Sequence, residues 1–192
     1  LSGGEIFQSL RSFFANNYNL SGLWVDECDF GARCAHQLSL ALGGCNKSLK
    51  CLHLRNNGET SQPWGVRLVE IIETLAAHPL LEELDLDGMN IGRHECDALA
   101  VLLPTTTELR ELDLSNNDID DEGVDAVAGA LANNSRLRIL YFHGNRITVG
   151  GCQSMAALLE HPNCNLEELY LYSNNIGNEG ALIFANALVN NR

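Results

Sequence analysis

The sequence predicts an α/β solenoid in which short strands alternate with helices along a repeated unit. Two observations carry that prediction. A pattern of the form L-x-x-L-x-L/V/F-x-x-N/C recurs six times. After each copy, apolar residues return at three- and four-residue spacing, the buried stripe of a helix.

The copies run Leu20, Leu23, Val25, Cys28; Leu49, Leu52, Leu54, Asn57; and Leu81, Leu84, Leu86, Met89. They continue Leu109, Leu112, Leu114, Asn117; Leu137, Leu140, Phe142, Asn145; and Leu166, Leu169, Leu171, Asn174. Successive starts lie 29, 32, 28, 28 and 29 residues apart. Repeats therefore begin near 20, 49, 81, 109, 137 and 166, with a partial repeat over 1–19, and residues 1–192 read as a single domain.

Within each copy the fourth and sixth positions are apolar and alternate with polar ones, which predicts a short strand with one buried face. The ninth position is mostly Asn, whose amide can satisfy backbone groups where the chain leaves the strand. Cys28 can donate weakly there, whereas Met89 cannot, so an altered turn is expected after the third strand. An apolar residue follows two positions later, at Phe30, Ile91, Ile119, Ile147 and Ile176.

The helical halves carry Val124, Val127, Ala130 and Leu131 in the fourth repeat, and Cys152, Met155, Leu158 and Leu159 in the fifth. The sixth carries Ala181, Phe184, Ala187 and Leu188. Small residues (Cys34, Gly123, Gly151, Gly180) stand near helix starts, where backbones must approach closely. Residues 3–16 read as the helical half of an earlier repeat, with Phe7, Leu10, Phe13 and Phe14 in its stripe. Neither end carries a polar cap, so the natural protein is expected to continue in both directions.

Composition narrows the function. With 45% hydrophobic and 19% charged residues, the chain is that of a globular protein. Twelve Lys and Arg against 25 Asp and Glu give a net charge of −13, which argues against binding nucleic acid. No stretch approaches the roughly 20 apolar residues needed to cross a bilayer, so no membrane association is expected. The seven cysteines have no metal-ligand spacing and read as reduced thiols, which points to a cytoplasmic protein.

Segments such as Leu109-Arg110-Glu111-Leu112-Asp113-Leu114-Ser115-Asn116-Asn117, and Leu166 to Asn175 followed by Ile176-Gly177-Asn178-Glu179-Gly180, resemble leucine-rich repeats of the ribonuclease-inhibitor type. The resemblance extends along essentially the whole chain. It implies a right-handed αβ solenoid, a leucine-rich-repeat horseshoe with a parallel sheet on the concave side and helices on the convex side. Its members include ribonuclease inhibitor, the sensor ends of NOD-like receptors and Ran GTPase-activating protein. The motif specifies a fold and is nearly silent about function.

If the register holds, the third, fifth and seventh positions of each strand face the concave side. The fifth-position column reads Trp24, His53, Asp85, Asp113, Tyr141 and Tyr170, and the seventh reads Asp26, Arg55, Asp87, Ser115, His143 and Tyr172. The third reads Gly22, Cys51, Glu83, Glu111, Ile139 and Glu168. An acidic patch (Glu83, Asp85, Asp87, Glu111, Asp113) and an aromatic patch (Tyr141, His143, Tyr170, Tyr172) emerge. Close carboxylates repel unless a basic partner relieves them, and exposed aromatics with polar tips are favoured interface anchors. The candidate partner is a protein with a basic, partly apolar surface; the alternative is that both patches are a solvated sheet face.

The second repeat is four residues longer than its neighbour, its surplus falling in the loop 58–65 that contains Trp64, which either packs down or contacts a partner at the rim. Cys51 and His53 lie two apart on one strand face but lack an oxyanion hole or an orienting acid. The carboxylate grid lacks the carbonyls that complete a cation shell, and no phosphate loop occurs. No enzyme, cofactor or metal is therefore expected. The resemblance leaves two other readings: activation of a small GTPase, with Arg93 and Arg67 as rim-side basic candidates, or contact with another domain of the same chain as in NOD-like receptors.

Overall fold

The computed structural model describes residues 19–28, 32–44, 47–57 and 66–190. Six three-residue strands alternate with helices: β1 (Gly22–Trp24), α1 (Ala32–Leu42), β2 (Cys51–His53), α2 (Val66–Leu75) and β3 (Glu83–Asp85). The order continues with α3 (Arg93–Leu102), β4 (Glu111–Asp113), α4 (Asp121–Leu131), β5 (Ile139–Tyr141), α5 (Val149–Leu159), β6 (Glu168–Tyr170) and α6 (Gly177–Asn190). A 3-10 turn, Leu103–Thr105, ends α3 where Pro104 interrupts the apolar run. The strands form one parallel sheet in the order β1-β2-β3-β4-β5-β6, and each helix packs on the next along the outside. This is the αβ solenoid expected from the repeat.

The register matches the motif residue for residue. Leu23, Leu52, Leu84, Leu112, Leu140 and Leu169 are successive partners, flanked by the third-position and fifth-position columns. Leu52, Leu54, Leu84, Leu86, Leu112, Leu114, Leu140 and Phe142 have no exposed surface and join one continuous core with Ile91, Ile119 and Ile147. The third, fifth and seventh positions therefore take the opposite face, because side chains alternate along a strand.

Three residues after each strand the chain reverses at a residue with positive φ in the eighth position: Glu27, Asn56, Gly88, Asn116, Gly144 and Ser173. Backbone groups freed by that reversal are collected by the ninth-position amides. Asn117 donates to the carbonyls of Leu86, Leu114 and Ser115 and accepts from the N–H groups of Met89 and Ile91. Asn145 and Asn174 repeat the pattern one and two turns along. Cys28, in the same position, donates its thiol to the Asp26 carbonyl. The turn after β3 differs as expected, though by little. Gly88 keeps the shared left-handed conformation, but Asn90 adds a second left-handed residue, found at no other described tenth position. Met89 is buried and supplies no amide, so the ladder of ninth-position amides is broken there.

Helix stripes lie where the spacing places them, with one correction. Val124, Val127, Ala130, Leu131, Cys152, Met155, Leu158 and Ala187 are buried, but Ala181 is exposed and Leu188 is 62% exposed. Among the described residues α6 has a neighbouring helix on one side only, while Phe184 of the same stripe packs against the core. At Gly151 a Cβ would stand 2.7 Å from Ile147 Cγ2, and at Gly180 2.4 Å from Ile176 Cγ2, which explains the small residues at helix starts. The expected helix over 3–16 and Phe30 lie outside the described residues.

Candidate functional site on the concave strand face

Trp24, at one end of the concave face, is 58% exposed. Its ring lies back over Gly22, where a Cβ would come within 2.3 Å of it, and meets the His53 ring at 5.4 Å and 51°. A side chain at position 22 would lift the indole off the sheet. His53 turns inward between two carboxylates. Its Nε2 is 2.7 Å from Glu83 Oε1, off the line of a hydrogen bond, and its Nδ1 is 3.5 Å from Asp85 Oδ2.

The middle of the face is acidic, but less openly than the sequence suggests. Asp85 and Asp87 are only 7% and 5% exposed. Asp87 accepts from Arg55 Nη2 at 3.0 Å and from Asn116 Nδ2 at 2.7 Å. Asp85 accepts from the Asp87 backbone N–H, and the Arg55 guanidinium stands 3.6 Å away. Burial pushes the Asp85 carboxyl up to about 6; the Asp87 N–H opposes that shift and the Asp113 charge adds to it. Burial, then neighbouring Glu83, raises Glu111 as well, while a hydrogen bond from Tyr141 pulls it back. Glu83 faces Glu111, and Asp85 faces Asp113, on adjacent strands. Among the described residues no group of three or more His, Cys, Asp or Glu side chains is arranged to hold a metal ion.

The far end carries a stacked ladder. Tyr141 and Tyr170 are stacked with centroids 4.6 Å apart and planes within 12°, and His143 and Tyr172 stack at 4.2 Å and 14°. Tyr141 meets His143 edge-on at 6.4 Å. The parallel register creates these pairs, since equivalent positions on neighbouring strands sit about 4.8 Å apart. His143 is oriented by Ser115 Oγ, 2.8 Å from its Nδ1, and the Tyr170 hydroxyl donates to Glu168. Burial, followed by the Glu111 charge, pushes the Tyr141 hydroxyl up to about 12, so it remains a donor. Tyr172 is 60% exposed.

Other candidates are placed as follows. Burial, then Glu83, raises the Cys51 thiol, the reverse of what a nucleophilic thiolate needs. Arg93, on the helix side of the rim, is held by Asp97 and Glu122. The loop 58–65 with Trp64, and the side chain of Arg67, lie outside the described residues. Asn116 is the site residue that the motif reading misses. Its signal lies in the eighth position, where Asn56 precedes Gly88 and Asn116 precedes Gly144; a Cβ at either glycine would collide with the preceding Asn side chain.

A sequence model of the family described as Leucine Rich repeat matches residues 107–128 and 163–185, the fourth and sixth copies of the motif. The fold is a leucine-rich-repeat solenoid. No curated protein matches the chain. Among solved structures, the actin-binding site 2 of leiomodin-1 is similar at TM-score 0.64 and 19% identity, over 97% of this chain and 89% of that one. The C-terminal domain of tropomodulin from Caenorhabditis elegans is similar at TM-score 0.62 and 13% identity, over 96% and 92%. A Bacteroides fragilis protein is similar at TM-score 0.56 and 13% identity, over 82% of this chain but 42% of its own. These likenesses concern the fold. No helix among the described residues is long and apolar enough to cross a membrane.

Proposed function

We propose that this leucine-rich-repeat chain is a protein-interaction module whose concave strand face receives the partner. The observation that carries the reading is the ladder of Tyr141, His143, Tyr170 and Tyr172 beside an acidic field with one Arg side chain, Arg55, among its third, fifth and seventh positions. Trp24, His53, Arg55, Glu83, Asp85, Asp87, Glu111 and Asp113 complete the candidate surface. Their roles differ. The rings supply anchoring area at low conformational cost. Glu83, Glu111 and Asp113, half-buried and paired with no Lys or Arg among the described residues, supply the field that selects a basic partner. Arg55, Asp85 and Asp87 hold one another and shape the floor.

The repeat of 28 to 32 residues with a full helix in each supports the ribonuclease-inhibitor type. Activation of a small GTPase has less support, because the rim candidate Arg93 is engaged by two carboxylates. Leiomodin-1 is similar through a part named for binding actin, which makes actin a defined first probe.

The test is a selection of small displayed domains against the wild-type chain. Binders are then challenged with Tyr141→Ala/Tyr170→Ala on the concave side and Gln153→Ala on the exposed helix side. Loss on the first variant and retention on the second supports the concave surface. Retention on both contradicts it.

A further inference from the structure

The fifth-position column steps up between β4 and β5. Along one line of register partners, His53, Asp85 and Asp113 give way to Tyr141 and Tyr170. An aspartate carries its carboxylate directly on Cβ, whereas a tyrosine ring stands well above that level. The two rings are parallel within 12° and 4.6 Å apart, close to the strand spacing, so their faces look along the column. The Tyr141 face turned away from Tyr170 therefore looks back over Asp113, its partner in β4. Among the described residues no ring is stacked on that face, and His143 meets Tyr141 only edge-on. The step lies inside the sheet, with β3 on one side and β6 on the other.

The acid at its foot has a free oxygen. Asp113 Oδ1 accepts the Ser115 N–H at 2.8 Å, and Oδ2 has no partner among the described residues. Glu111, two residues earlier on the same strand, accepts the Tyr141 hydroxyl. The neighbouring pair of strands shows what such an acid takes. Arg55, in the seventh position of β2, donates to Asp87 at 3.0 Å and stands 3.6 Å from Asp85, the fifth-position acid of β3. The seventh position of β3 is Asp87, so Asp113 receives no equivalent guanidinium from its own neighbour. From β3 to β6 no third, fifth or seventh position is Lys or Arg.

Resting on the reading above, we propose that Asp113, Glu111 and Tyr141 form a receptor for an arginine side chain of the partner, which brings to β4 the group that Arg55 brings to β3. A guanidinium is planar, so it can stack on the Tyr141 face while its fork of N–H donors reaches down to Asp113 and across to Glu111. A lysine ammonium matches the charge but has neither the plane nor the fork, and it is more strongly hydrated. A neutral aromatic matches the plane but leaves the carboxylates unrelieved.

The experiment uses fluorescent peptides with two arginines in a Gly/Ser frame, and matched versions in which lysine or citrulline replaces them. Binding is read by anisotropy in low-salt buffer. The arginine peptide is expected to bind about tenfold more tightly than the lysine peptide, with the citrulline peptide weakest. Tyr141→Leu and, separately, Asp113→Asn are each expected to remove most of that preference. The second variant keeps an acceptor for the Ser115 N–H, so the turn after β4 survives it. Glu179→Gln removes one charge from the exposed start of α6 and is expected to leave the preference unchanged. Equal binding of arginine and lysine peptides, indifference to Tyr141→Leu and Asp113→Asn, an equal loss on Glu179→Gln, or no binding of any peptide would overturn the assignment. The domain selection above still reports on the concave surface in each of those cases, so failure of the arginine receptor is distinguishable from failure of the interaction reading.

Discussion

Replacing Asn117 with Met gives the fourth turn the residue that the chain itself carries at Met89, in the equivalent place of the third. Asn117 is 6% exposed and makes five side-chain hydrogen bonds. Two of its carbonyl partners keep a second donor: Leu114 from Asn145, and Ser115 from the Gly88 N–H. Three groups have no other partner among the described residues, namely the N–H groups of Met89 and Ile91 and the carbonyl of Leu86. A buried polar group left without a partner costs about 1–3 kcal/mol, so three cost about 3–6 kcal/mol after some relaxation. That is at or above the upper end of single substitutions. Urea unfolding followed by far-UV circular dichroism and by tryptophan fluorescence measures the loss, with coincidence of the two probes checked first because repeat arrays can unfold in parts. Exposed Asn133→Ala should stay within about 0.5 kcal/mol of wild type. A loss below about 1 kcal/mol for Asn117→Met would refute the reasoning, since the amide would then be replaceable by a thioether.

Two titrations should pull in opposite directions. The Asp85 carboxyl is raised to about 6 in the folded chain, so the stability it contributes is present at low pH and lost as pH rises through 6. Asp85→Asn keeps an acceptor for the Asp87 N–H and should stabilise by about 1–3 kcal/mol at pH above 7, with the gain vanishing near the ordinary carboxylate range; a destabilised variant at high pH would mean that Arg55 and His53 outweigh burial. His78 is 1% exposed, bonds the Leu42 carbonyl through Nε2, and is lowered chiefly by burial, so stability is lost as pH falls below the usual imidazole range. In the Asp85→Asn background His78→Asn should flatten that acid limb of the thermal-melting profile, and an unchanged limb would assign it elsewhere. Gly129 has nothing within 4 Å of a built Cβ, so Gly129→Ala should stabilise α4 by about 0.5–1 kcal/mol. Gly151→Ala, with Ile147 Cγ2 at 2.7 Å and Asp121 Oδ1 at 2.8 Å, should destabilise by about 1–3 kcal/mol in the same melts.

The strands and their phase were legible because the motif is local. Leu112 and Leu114 alternate with Glu111 and Asp113 inside one segment, and the same spacing recurs six times, so sheet order and facing follow without knowledge of any contact. What the motif does not state is how side chains 28 to 32 residues apart choose one another. Arg55 and Asn116 reach Asp87 from two different repeats, which turns part of an expected open acidic patch into a buried, paired floor. The left-handed Asn90 is equally hidden: the sequence announces a missing amide at Met89 but not which residue absorbs the strain. Stacking of Tyr141 on Tyr170, by contrast, follows from register alone once the two share a column. The exposed half of α6 departs from its stripe because periodicity describes a helix and not its neighbours.

The most direct test of recognition by the strand face is a hydroxyl-radical footprint of a selected complex. The account predicts protection of Tyr141, Tyr170 and Tyr172 on binding, with the exposed helix residues Gln153 and Val101 unchanged. Protection confined to the helices, with the three tyrosines oxidised as in the free chain, would contradict it.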